Sequence, residues 1–85
     1  MQCVYVLCSQ KDGKRYIGCT NDLRRRLSDH NDGLVESTKQ RIPLKLIYYE
    51  GCLNPRDAFH REKYLKSTYG HRYIRNRLRY YFTGQ

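Results

Sequence analysis

The stretch Cys3-Val4-Tyr5-Val6-Leu7-Cys8-Ser9-Gln10-Lys11-Asp12-Gly13-Lys14-Arg15-Tyr16-Ile17-Gly18 reads as two short strands and the turn between them. Residues 2 to 8 and 14 to 18 carry the apolar runs, and the polar Gln10-Lys11-Asp12-Gly13-Lys14 holds an Asp-Gly pair that supplies the positive φ of a tight hairpin. Tyr5 and Tyr16 therefore stand on neighbouring antiparallel strands.

Working outward, Thr20 or Asn21 caps a helix running to about His30, with Asp22 at its positive end and Gly33 as its stop. Residues 34 to 43 form a basic polar loop ending at Pro43. A third strand, rich in Leu, Ile and Tyr, runs from Leu44 to Glu50. Asn54 as cap and Pro55 in the first turn open a helix that reaches about Ser67. After a break at Tyr69-Gly70, residues 72 to 82 form a last helix with Ile74, Leu78 and Tyr81 on one side. The order β-β-α-β-α-α predicts an α+β fold, a three-stranded antiparallel sheet with flanking helices. The 85 residues hold no repeat, low-complexity tract or long linker, so residues 1 to 85 read as one domain around one modest core.

Seventeen Lys and Arg against eight Asp and Glu give a formal charge of +9, which favours a polyanionic partner through phosphate contacts and counterion release. Nucleic acid is the first candidate. Nine tyrosines and no Trp add aromatic faces with hydroxyl handles, most of them expected as half-buried packing residues. No run approaches the ~18 apolar residues of a membrane helix and no signal-peptide pattern is seen, so a cytoplasmic protein without a membrane partner is expected. Cys3, Cys8, Cys19 and Cys52 form no CxxC, and with His30, His60 and His71 they lack the ligand spacing of a zinc module. Reduced thiols fit the same compartment.

Helix phase singles out three side chains. Leu23, Arg26, Leu27 and His30 follow the i, i+3, i+4, i+7 pattern of a core-facing stripe, while Arg24 and Arg25 point elsewhere, toward solvent or phosphate. An arginine on an apolar stripe packs its stem and leaves its head in a cleft, or pairs with an anion. In the middle helix Ala58, Glu62 and Leu65 share a face on which Glu62 is the one acid. Such a glutamate pairs with a cation, here Arg26 or Arg61, or binds a hard cation together with waters and substrate phosphate. With no clustered acidic pair, one metal ion is expected rather than two. His60 and His71 lack such geometry, and Arg72, Arg75 and Arg79 line the polar side of the last helix as a phosphate-contacting or solvated stripe.

Tyr5, Tyr16, Arg26, His30 and Glu62, in that order, resemble the site residues of the GIY-YIG endonuclease superfamily, in particular its small stand-alone bacterial members and the N-terminal nuclease domain of the bacterial excision-repair nuclease. Cys3-Val4-Tyr5 keeps the tyrosine of the first motif and loses its glycine; Tyr16-Ile17-Gly18 is the second motif intact. Cys19 stands where some repair-type members carry a lysine. Asn76, in Tyr73-Ile74-Arg75-Asn76-Arg77-Leu78, is the counterpart of a late family asparagine, although helix phase turns it away from the core.

The resemblance implies hydrolysis of one DNA strand by in-line attack of water, in DNA repair or recombination, with RNA not excluded as substrate. It further implies one Mg²⁺ or Mn²⁺ held by Glu62, and Arg26 on the non-bridging oxygens, where a planar guanidinium suits phosphate. Tyr16 would take the proton from water with His30 as the acceptor behind it, and Tyr5 would orient the water or contact phosphate. Two other readings share the charge and the tyrosines: a non-catalytic nucleic-acid-binding module, and an ancillary nuclease domain that needs a partner protein. A carboxylate in the phosphate site favours the enzyme, because a pure binder gains nothing from Glu62.

Overall fold

The computed structural model describes residues 1 to 84. In chain order the elements are β1 (Gln2–Ser9), β2 (Arg15–Thr20), α1 (Leu23–Asn31), β3 (Leu44–Cys52), α2 (Pro55–Leu65), α3 (Thr68–Arg77) and α4 (Arg79–Thr83). The strands form one antiparallel sheet in the order β2-β1-β3, the α+β arrangement the sequence predicts. At the hairpin only Gly13 takes positive φ, at 73°, and no non-glycine residue does; Gly13 N–H bonds Ser9 O and Ser9 N–H bonds Lys14 O, both at 2.9 Å. Asp12 works through its side chain instead, accepting from Lys14 N–H at 2.8 Å.

Central β1 divides the core in two by strict alternation. Val4 and Val6, with Ile17 from β2, pack under Ala58, Leu65 and Ile74 of α2 and α3. Tyr5 and Leu7, with Leu44 from β3, pack toward α1, where Leu23 and Leu27 close the layer beside Tyr16. Registers Tyr5↔Gly18 and Leu7↔Tyr16 put both tyrosines on the α1 face, one pair apart. On the other side of β1, Val6 pairs with Tyr48 and Leu7 with Leu46, so Ile47 is the extra residue of a bulge.

Several boundaries differ from expectation. The cap of α1 is Asp22, not Thr20 or Asn21: its carboxylate accepts from Arg25 N–H at 3.2 Å, and the Thr20 hydroxyl accepts from Asp22 N–H at 3.1 Å and donates to the Asp22 carbonyl at 3.4 Å. A carboxylate gains more at the positive helix end than a hydroxyl or amide does. β3 runs on to Cys52, and α2 ends at Leu65 rather than near Ser67. Tyr69-Gly70 is no break. Ser67 caps α3 by accepting from Gly70 N–H at 3.1 Å, and Gly70 lies against the backbone of Tyr64 and Leu65, where a Cβ would collide. Its glycine serves close helix contact, not chain reversal. The break falls instead at Leu78, and Tyr81, expected on the apolar side, is 43% exposed on α4. All four cysteines are free thiols, and among the described residues no helix is long and apolar enough to cross a membrane.

Candidate active site

α1 begins where β2 ends, so one short connection carries the chain from the second tyrosine to the arginines. The phase holds: Arg26 is half-buried on the sheet side, Arg24 and Arg25 are exposed, and His30 is fully buried one turn on. Among the described residues the Arg26 guanidinium has no carboxylate partner, since the ion pairs are Lys39–Glu36, Arg41–Asp12, Arg61–Glu50 and Lys66–Glu62. The Tyr5 hydroxyl beside it, with Tyr16 further off, holds Arg26 above the usual guanidinium range. A shallow cleft of about 290 Å³, lined by Thr20, Asp22, Arg25, Arg26 and Asp29, opens next to it.

Beneath Arg26 lies a buried chain of polar groups. Tyr5 Oη and His30 Nε2 are 2.9 Å apart, and His30 Nδ1 and Thr38 Oγ1 are 2.7 Å apart. Tyr5, His30 and Thr38 are each no more than 1% exposed. Burial, then the Arg26 charge, holds the His30 imidazole below its ordinary pKa, so it is neutral near pH 7. A neutral imidazole offers one donor and one acceptor. With a guanidinium at the Tyr5 oxygen, the consistent order is Tyr5 O–H donating to Nε2 and Nδ1–H donating to Thr38. Burial raises the Tyr5 phenol above its ordinary value, and Arg26 offsets part of that.

This corrects the expected pairing of His30 with Tyr16. Tyr16 stacks edge-on against His30, ring centroids 5.0 Å apart, and is half-buried, its hydroxyl facing the Arg26 guanidinium rather than a ring nitrogen of His30. Cross-strand register explains the exchange. The Tyr5 ring lies over Gly18, directly opposite on β2, where any Cβ would overlap its hydroxyl and Cζ. The glycine of Tyr16-Ile17-Gly18 is thus the floor that lets the Tyr5 phenol extend toward α1.

Glu62 lies on α2, on the opposite face of the sheet from α1, with no hydrogen bond or ion pair to Tyr5, Arg26 or His30 among the described residues. α2 packs against β1 and edge strand β2, and the Glu62 carboxylate acts on both the Cys19 thiol and the Tyr5 phenol, raising each after the larger effect of burial. Its ion-pair partner is Lys66, at 3.1 Å one turn along α2, rather than Arg26 or Arg61. Arg61 is committed to Glu50 and lies over the Tyr64 and Tyr73 rings. No three His, Cys, Asp or Glu side chains converge among the described residues. One partly exposed carboxylate with a half-exposed lysine partner fits a hard cation that keeps waters and takes phosphate oxygens, and does not fit a protein-built cage.

The remaining candidates lie apart. Asn76 is exposed on α3, without a hydrogen bond to any site residue, as are Arg72 and Arg75; Arg79 is exposed on α4. His60 is exposed, and His71 accepts from Arg15, whose Nη1 also reaches the His71 carbonyl at 3.0 Å. A larger groove, about 670 Å³ and lined by Glu50, Asp57, His60, Arg61 and Tyr64 among others, holds the Arg61–Glu50 ion pair, whose charges neutralise each other. Thr38 and Lys66 are not among the candidates named from the sequence. Thr38 sits in the polar segment 34 to 43, where periodicity carries no signal; Lys66 is legible as the i+4 neighbour of Glu62.

A family model described as the GIY-YIG catalytic domain matches residues 1–78. The UPF0213 protein of Streptococcus pneumoniae serotype 4 is 45% identical over 64 residues, covering 74% of this chain and 64% of the relative. A UPF0213 protein of Clostridium perfringens is 43% identical over 67 residues, 78% of this chain and 71% of the relative. UPF0213 protein YazA of Bacillus subtilis is 44% identical over 57 residues, 66% and 58%. The chain therefore spans less than two thirds of the length of the first of these relatives. No solved structure matches it. The ordered tyrosines, the helix phase of Arg26 and a match over almost the whole chain agree: the protein belongs to the GIY-YIG catalytic domain family.

Proposed function

We propose that the chain is a divalent-metal-dependent endonuclease that hydrolyses one strand of DNA by in-line attack of water on phosphorus. The observation that carries this reading is the buried Tyr5–His30–Thr38 chain beneath an arginine with no internal anion. A binding surface has no use for a phenol with a proton acceptor behind it, whereas hydrolysis needs a site that takes a proton from water. Arg26 meets the non-bridging oxygens of the scissile phosphate, where its fork neutralises developing charge. Tyr5 is 1% exposed, so in this reading the Arg26 head turns to the phosphate and opens the phenol to water. Tyr5 Oη then takes a proton from water as its own passes to His30 Nε2, and Thr38 accepts from Nδ1–H to hold the tautomer. Tyr16, whose hydroxyl has no proton acceptor behind it, contacts the phosphate or the attacking water. Glu62 would hold one Mg²⁺ or Mn²⁺, which supplies Lewis-acid polarisation of the phosphoryl oxygen and stabilises the departing 3′-oxygen.

The test is incubation of the chain with supercoiled plasmid, branched DNA and structured RNA, with Mg²⁺, Mn²⁺ or chelator. Metal-dependent nicking is expected of the wild type. Glu62→Gln should abolish it while DNA affinity in chelator stays within about three-fold, since one hard ligand is lost and the surface is kept. Nicking by Glu62→Gln at the wild-type rate would remove the metal from Glu62.

A further inference from the structure

The charge of this chain is unevenly distributed. Every one of its eight acidic residues lies at or before Glu62, and residues 63 to 85 carry six Lys and Arg, five of the nine tyrosines and no acid. Of these, Tyr69, Arg72, Arg75 and Arg77 are exposed on α3 and Arg79, Tyr80 and Tyr81 on α4. At 100° per residue Tyr69, Arg72 and Asn76 fall within an arc of about 60° on α3, opposite buried Ile74, and all three are exposed. Tyr69 is 68% and Tyr80 65% exposed. Each ring has a cation against it: Arg72 lies 5.8 Å from Tyr69 and Arg79 5.5 Å from Tyr80. None of these residues belongs to the Tyr5–Arg26–Glu62 site, and α4 lies beyond the residues the family accounts for.

We propose that Tyr69, Arg72, Asn76, Arg79 and Tyr80 form a stacking platform for an unpaired strand of nucleic acid. Single-strand binding surfaces pair aromatic faces, on which any base stacks, with cations that follow the phosphates, and this surface supplies both in alternation. Paired bases leave no face for exposed tyrosines to stack on, so an intact duplex meets only the cations. A second copy of the chain fits poorly, because a surface that carries Arg72, Arg75, Arg77 and Arg79 and no acid repels itself across a two-fold axis. The proposal rests on the endonuclease reading only for its consequence: the preferred substrate carries an unpaired strand in addition to the bond that is cut.

The experiment measures binding in chelator, where no cleavage occurs, to an oligothymidylate and to a duplex of equal length. Tyr69→Ala and Tyr80→Ala should each weaken single-strand binding by about five-fold or more and duplex binding by less than about two-fold. Circular dichroism melts should match wild type, both side chains being on the surface. The chain has no Trp, so Tyr69→Trp is a unique reporter; it should retain single-strand affinity and its fluorescence should be quenched by the oligothymidylate. Equal losses on both ligands, or no quenching, would overturn the platform. So would wild-type self-association by sedimentation that Tyr69→Ala abolishes. If the chain cuts no nucleic acid in any metal yet shows the selective loss and the quenching, the nuclease reading fails and the platform stands.

Discussion

The two faces of the sheet are equally well sealed and built for different ends. On the α2–α3 face the buried residues are Val4, Val6, Ile17, Ala58, Leu65 and Ile74, all apolar and at most 5% exposed. On the α1 face the same degree of burial encloses a phenol, an imidazole and a hydroxyl linked in series. Hydrophobic burial stabilises the first face by about 1.5–3 kcal/mol per large side chain. The second gives up part of that gain, since polar groups out of water return their hydrogen-bond cost only when every one is paired. A small domain with one modest core keeps such a network where its chemistry is needed, and leaves stability to the other face.

Crossing one substitution from each face breaks or upholds that division. Tyr5→Phe should lower the single-turnover rate by about 10²- to 10⁴-fold, the usual contribution of a positioned acid or base, and stability by about 1–3 kcal/mol, because buried His30 Nε2 is left unpaired. Tyr16→Phe should lose less, because no acceptor stands behind its hydroxyl. Leu65→Ala should remove about 2–5 kcal/mol of stability while the folded fraction cuts at the wild-type rate. A Tyr16→Phe rate below that of Tyr5→Phe would return the base to Tyr16. A stable but inactive Leu65→Ala would show that the faces are not separable.

Gly18 is where the faces meet, and its replacement is a smaller, mixed perturbation. The added methyl of Gly18→Ala would overlap the Tyr5 hydroxyl, so the ring must move off His30. Overpacking of this kind costs about 1–3 kcal/mol. The expected result is a moderate fall in stability with a loss of rate approaching that of Tyr5→Phe, and Gly18→Ala combined with Tyr5→Phe should be hardly slower than Tyr5→Phe alone. Additive rate losses would mean that Gly18 acts on the chemistry by another route.

Much of this is legible in the sequence because it depends on local periodicity. The hairpin, the half-burial of Arg26 between exposed Arg25 and packed Leu27, and the place of Glu62 between Ala58 and Leu65 all follow from strand alternation or helix phase. What depends on register between strands is not. The partner of His30 is decided by Tyr5 facing Gly18 rather than Tyr16, a pairing set by the length of the turn and invisible in either strand. Thr38 answers the demand of a buried imidazole for a second partner, but the sequence gives no address for a loop residue that meets it. Tyr69-Gly70 resembles a breaker because glycine in a turn and glycine at a close helix contact are spelled the same way.

The smallest effect is also the one that assigns the proton. His30 is held below its ordinary pKa of 6.5 by burial and by Arg26, with Asp29 opposing. Below pH 6.5 the unfolded chain therefore binds a proton that the folded chain refuses, and stability falls as pH drops from 6.5 to the folded value, by up to about 1.4 kcal/mol per pH unit. Above 6.5 both states are neutral and the contribution is flat. On the other face Cys19 and Tyr48 are pushed upward, away from this window, so the slope belongs to the α1 face. Denaturant midpoints measured across the window should show it in the wild type and lose it in His30→Gln. Cleavage should show an acid limb with its midpoint below 6.5, because an imidazolium cannot accept the Tyr5 proton. A wild-type rate that stays level through the pH range where the stability slope appears would leave His30 as packing and take the proton path away from Tyr5.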